Sequence, residues 1–195
     1  TSHGRVLFVG HVFRYHPVLK KVKELTKQDP ISFARMSWTK LGSFEEDIFW
    51  NLVSHEVSIA LELFNERPRD TSTLCVNGIM TTCDLVTARL DFGGNRECLI
   101  DVNRCAPTRN KAITVLTSSG QALVWENSTL YKLDKEAKIQ PLYEAKEEPL
   151  DLELSLFLEF LEEMYEPTDV VLIERGVDFI QNTERTRLDQ VDPEK

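Results

Sequence analysis

Two short stretches hold most of the side chains able to do chemistry. "FWNLVSHEVSIALELF" (Phe49–Phe64) carries His55, one of only 4 histidines, inside an otherwise apolar run. Asn51 lies four residues earlier, a spacing that puts both side chains on one helical face. Two readings fit. A buried imidazole and amide must both find hydrogen-bond partners, so the pair can be a satisfied piece of core. Alternatively, His55 is an acid/base group oriented by Asn51 and lining a pocket. The opposite wall of such a pocket would be the second stretch, "RVLFVGHVFRYHP" (Arg5–Pro17). There a β-branched and aromatic run, Arg5–Val9, stops at Gly10, and His11, Arg14, Tyr15 and His16 follow at once. A buried strand ending in glycine and polar side chains has the character of a site at the rim of an α/β sheet.

Other chemistries find little support. Zinc needs three or four converging ligands. His11 and His16 are five apart, and Cys75, Cys83, Cys98 and Cys105 form no CxxC, so no metal site is expected. GxGxxG and GxxxxGK[ST] phosphate loops are both absent. Lys plus Arg is 23 against 32 for Asp plus Glu, a net charge of −9, which argues against a nucleic-acid partner. No apolar run approaches the roughly 18 residues of a membrane span. The cysteines read as four reduced thiols, mostly in strands, which suits a reducing compartment and a cytoplasmic protein.

The elements that would position these residues form an α+β pattern. Pro17–Gln28 is amphipathic, with Val18, Leu19, Val22 and Leu25 on one stripe and lysines opposite. Ile31–Trp38 alternates as a half-buried strand does. Glu45–Asn65 is the strongest helix, with acidic residues in its first turn and Asn65 and Pro68 at its end. Strands follow near Asp70–Val76, Asp84–Phe92, Arg96–Asn103, Lys111–Ser118, Gln121–Glu126 and Thr129–Leu133. Phe92-Gly93-Gly94-Asn95 and Ser119-Gly120 make tight connections, so neighbouring strands there run antiparallel. Glu148–Tyr165 is a third helix, Asp169–Gln181 a fourth, and Thr186–Lys195 a polar tail.

"VGHVFRYHPVLKKVKEL", the acidic helix with "WNLVSHEVSIALELF", "ERP" leading into antiparallel strands, and "EEPLDLELSLFLEF" together resemble the glucose–fructose oxidoreductase / inositol dehydrogenase / MocA family. The resemblance implies the C-terminal domain of such an enzyme: an open, mostly antiparallel sheet with helices packed on one face. It implies that residues 1–15 are the last strand and crossover of an absent Rossmann domain, that 16–185 are the α+β domain, and that 186–195 are a tail.

It further implies that the full-length protein uses NAD or NADP on a sugar or polyol-like substrate. His55 then corresponds to the histidine that handles the proton of the reacting oxygen. Many members place an Asp four residues before it; Asn51 stands there and can orient but not exchange a proton. Arg14 and Tyr15, with Arg35 and Trp38 on the next strand, are implied substrate contacts, and Gly10 and His11 lie nearest the cofactor. The chain alone is expected to bind no dinucleotide and to be inactive. The strands at Asp84–Phe92 and Arg96–Asn103 carry apolar residues on both parities, which suits a homodimer through the sheet. A non-catalytic dimerisation or ligand-binding module is the rival reading.

Overall fold

The computed structural model describes residues 10–164 apart from 77, 79, 134, 135 and 137. A 3-10 turn, Val12–Tyr15, leads into α1 (Pro17–Leu25), β1 (Ile31–Leu41), a π turn (Phe49–Val53) and α2 (Ser54–Phe64). Then come β2 (Asp70–Val76), β3 (Leu85–Gly93), β4 (Arg96–Asn103), β5 (Cys105–Thr117), β6 (Ala122–Glu126), β7 (Thr129–Leu133), β8 (Ile139–Glu144) and α3 (Pro149–Met164). The chain divides into two compact units, and the larger spans Val12–Leu152. The smaller contains Gly10, His11 and the part of α3 from Glu153 onward.

The larger unit is built on one 8-stranded sheet of order β2-β3-β4-β1-β5-β6-β7-β8. Only β1 and β4 run parallel; every other neighbouring pair is antiparallel. This is the expected open, mostly antiparallel α+β sheet. Side chains alternate between faces along a strand. One parity is therefore core: Ala34, Met36 and Trp38 on β1, Cys98, Ile100 and Val102 on β4, and Ile113 and Val115 on β5. Buried Val18, Leu19 and Val22 of α1 and Ile59, Ala60, Leu63 and Phe64 of α2 join this cluster. Phe64 stacks on Phe92 with centroids 4.1 Å apart.

The other parity is mixed. It carries Leu99 but also Arg35, Thr87, Arg89, Glu97 and Asp101, tied by Arg35–Asp101 (3.1 Å) and Arg89–Glu97 ion pairs. β3 and β4 are thus buried on one parity and half-buried to exposed on the other, rather than apolar on both.

Local chemistry explains several boundaries. At the β3–β4 hairpin Gly93 and Gly94 have φ of 79° and 62°, values glycine adopts freely. α1 starts at Pro17 because His16 precedes it as a cap, its Nδ1 accepting a hydrogen bond from Val18 N at 3.1 Å.

The expected helix over Glu45–Asn65 is shorter and interrupted. Glu45, Glu46 and Asp47 precede it, and Asp47 Oδ1 accepts hydrogen bonds from Phe49 N (2.8 Å) and Trp50 N (3.2 Å). α2 ends on Asn65, whose φ of 52° turns the chain into the left-handed region. β5 starts at Cys105, well before the expected Lys111, and β8 was not expected.

The cysteine expectation needs correction: Cys75 and Cys83 form a disulfide with Cα atoms 5.8 Å apart. β2 and β3 pair antiparallel with Cys75 opposite Val86, so the chain re-entering the sheet carries Cys83 back beside Cys75. Cys98 and Cys105 are free thiols, and burial pushes Cys98 up to about 12. The expected strand Arg5–Val9, the fourth helix Asp169–Gln181 and the tail lie outside the described residues.

Candidate active site

α2, β1 and the 3-10 turn bring His55, Trp38 and Phe13 together. The His55 ring lies 5.5 Å from Phe13, nearly perpendicular at 84°, and 6.0 Å from Trp38. Phe13 and Trp38 meet edge to face at 5.5 Å. Trp38 is on the helix-facing parity of β1 and only 6% exposed, and its indole Nε1 has no hydrogen-bond partner among the described residues. A buried donor left open in this way is available to a ligand acceptor. The π turn Phe49–Val53 runs directly into α2, ending two residues before His55, and such turns recur at functional sites.

Charge enters from β5. Lys111 is paired with Trp38 in the β1–β5 register, so both side chains rise on the same face. Its ammonium lies 4.0 Å from the Trp38 ring centroid and 4.2 Å from that of Phe13. It forms an ion pair with Glu56, which is fully buried and follows His55 in the chain. Burial pulls the Lys111 ammonium well below the ordinary lysine range. Nearby, His16 packs on Trp125 at 4.6 Å. Burial first, and the Lys111 charge second, lower its imidazole to about 4, so it is neutral near pH 7.

The remaining sequence candidates are spread out. Asn51 lies in the π turn, half-buried, and makes no side-chain hydrogen bond among the described residues. Arg14 and Tyr15 share the 3-10 turn with Phe13, but Arg14 is bound to Glu62 through Nε at 2.9 Å. Lys23 reaches the same carboxylate at 2.6 Å. Arg35 does not join Trp38. The two are an odd number of residues apart on β1, so Arg35 projects from the opposite face, onto Asp101.

Gly10 and His11 belong to the smaller unit, where a Cβ on Gly10 would come within 3.1 Å of Glu153 Oε1. Sequence reasoning missed Phe13, Glu56 and Lys111. Glu56 stood one residue from His55 as an acid in a greasy helix, which was a readable anomaly; Lys111 looked like any strand lysine.

The described residues do not fit a dinucleotide. They hold no glycine-rich strand-to-helix turn, and the one parallel pair, β1 and β4, is connected through α2, β2 and β3 rather than by a single crossover helix. Among them no group of three or more His, Cys, Asp or Glu is arranged around a metal, and no helix is long and apolar enough to cross a membrane.

No family model and no curated protein matches the sequence. Solved structures do match. A UDP-N-acetylglucosamine 3-dehydrogenase from Acidithiobacillus ferrooxidans superposes with a TM-score of 0.71 and 18% identity, over 82% of this chain and 54% of that one. A dehydrogenase from Clostridium difficile gives 0.66 and 18%, over 80% and 54%. An inositol dehydrogenase homologue from Azotobacter vinelandii, solved with NADH and myo-inositol, gives 0.60 and 12%, over 72% and 43%. The chain thus has the fold of a part of these dehydrogenases, and spans about half the length of the first of them.

Proposed function

We propose that this chain is the substrate-binding and oligomerisation domain of an NAD(P)-dependent oxidoreductase acting on a sugar or polyol-like substrate. The observation that carries this reading is the placement of His55. In a fold shared with sugar and polyol dehydrogenases, an imidazole on α2 stands against two aromatic walls beside an open indole donor. Oxidation of a carbinol requires a base for the hydroxyl proton, and reduction of a carbonyl requires an acid; a neutral or protonated imidazole serves either direction. His55 has that role here. Trp38 Nε1 donates to a substrate oxygen, and Tyr15 and Asn51 contact or orient the substrate from the adjoining turns. Arg14 acts from the rim, and Gly10 and His11 lie toward the cofactor. NAD or NADP is bound by the full-length protein.

The experiment uses the full-length protein with NAD or NADP and a panel of sugars, nucleotide sugars and polyols that includes UDP-N-acetylglucosamine and myo-inositol. At least one should drive NAD(P)H formation. His55→Gln should lower kcat about 10²- to 10⁴-fold. No turnover of any member, or a fully active His55→Gln, sinks the reading.

A homodimer through the sheet completes the proposal. The face opposite α1 and α2 presents half-buried Leu99 on β4, beside the Arg35–Asp101 and Arg89–Glu97 ion pairs, and half-buried Val124 and Tyr131 on β6 and β7. A second copy would cover such a surface and re-pair its charges. A monomer by light scattering at micromolar concentration counts against it.

A further inference from the structure

We propose that Lys111 is a positioning residue for His55, its ammonium locking the ring faces of Phe13 and Trp38 so that those two rings hold the imidazole in one orientation. The inference rests on the reading of His55 as the proton-moving residue.

The geometry is specific. One ammonium lies over two ring faces at once, at 4.2 Å from Phe13 and 4.0 Å from Trp38. Those same rings are the ones that contact His55. They come from different elements, Phe13 from the 3-10 turn and Trp38 from β1, and neither is bonded to the other. Edge-to-face contacts between rings are shallow and allow sliding. A cation over both faces restricts that freedom, because each ring gains by keeping its electron-rich face on the charge.

Glu56 supplies the other end. It binds Lys111 and is the residue after His55, so β5 is tied to the backbone of α2 one position from the imidazole. One side chain thus contacts Phe13, Trp38 and Glu56, which come from three different elements.

Burying an ammonium with a carboxylate is often no better for stability than burying two apolar side chains of similar volume, which favours an orienting role for this pair.

The test needs no substrate. The 195-residue chain is labelled on histidine and the His55 ring protons are assigned with His55→Gln. In the wild type these protons should be displaced by the ring currents of Phe13 and Trp38. In Lys111→Met combined with Glu56→Gln, which removes both charges and leaves none stranded, the displacement should collapse toward the values of free histidine. Lys111→Arg, which keeps a cation for Glu56 and both rings, should retain most of it.

Three results overturn the proposal. In the first the double variant folds with His55 at its wild-type shifts; in the second it fails to fold, which makes the pair a requirement of the fold; in the third Lys111→Arg loses the displacement as fully as the double variant. Because the readout is a shift and not a rate, its failure leaves the redox role of His55 standing. An inactive full-length protein would likewise leave a positive shift result standing.

Discussion

Arg104 and Asp84 are 2% and 0% exposed; Lys111 and Glu56 are 14% and 0%. Both are ion pairs inside the same unit, yet they are satisfied by opposite means. Arg104 donates to Asp84 Oδ1 (3.0 Å), the backbone oxygens of Ser43 (2.9 Å), Glu46 (2.6 Å) and Cys83 (2.9 Å), and the Thr81 hydroxyl (2.5 Å). Its planar fork thus ties the segment before the π turn to the segment before β3. Asp84 is held down to about 2 by the Thr81 hydroxyl foremost, with the backbone amides of Met80 and Thr81 and the Arg104 guanidinium assisting. Lys111 has a single carboxylate and two aromatic faces. The first pair is a structural clamp with its hydrogen-bonding capacity filled. The second is held in softer surroundings that leave its charge felt by its neighbours.

That contrast can be broken by substitution. Arg104→Met should destabilise the chain most, by about 5 kcal/mol in chemical denaturation, because it strands Asp84 and several carbonyls at once. A loss under about 1 kcal/mol would mean that the clamp is redundant. Lys111→Met alone should cost less, about 3 kcal/mol, by leaving the Glu56 carboxylate buried without its cation. Adding Glu56→Gln should bring stability back to within about 1 kcal/mol of wild type, since a neutral pair no longer needs compensation. No such recovery is expected when Asp84→Asn is added to Arg104→Met, because the orphaned carbonyls remain.

The smallest expected effect is on His16. Its folded value of about 4 lies below the ordinary 6.5, so the unfolded chain takes up the proton first. The stability it contributes is whole above about pH 6.5 and is lost as the pH falls toward about 4, at about 1.4 kcal/mol per unit. Lys111→Met should raise the His16 midpoint in an NMR titration and flatten this loss, whereas Arg104→Met should not move it. Equal shifts from both variants would erase the distinction between the two pairs.

The readability of the chain follows the range of the interactions. β2, β4 and β7 begin and end where the alternation of side chains and the turn residues put them, at Asp70–Val76, Arg96–Asn103 and Thr129–Leu133. β8 carries Pro141, which cannot donate to a ladder and argues against a strand in the sequence, and its side chains are mostly exposed; it exists because β7 offers it a ladder. The first residues of β5 are exposed around Pro107 and were illegible for the same reason. Within the candidate site, His55 was legible as a polar group in an apolar helix. That Arg35 and Trp38 take opposite faces of β1 follows from their odd spacing, but which face meets α2 was set by the packing of the sheet.

By itself, the sequence determined the α+β class, the helix carrying His55, the hairpin at Gly93-Gly94 and the absence of phosphate-loop motifs. Each of these depends on neighbours a few residues apart, through side-chain period, backbone freedom or charge. Only the tertiary structure decided the parallel pairing of β1 with β4, the disulfide between Cys75 and Cys83, and the meeting of Lys111 with Glu56 between two rings. These join segments whose separation in sequence leaves no periodic trace, and their partners are set by which strands become neighbours and which face each side chain takes.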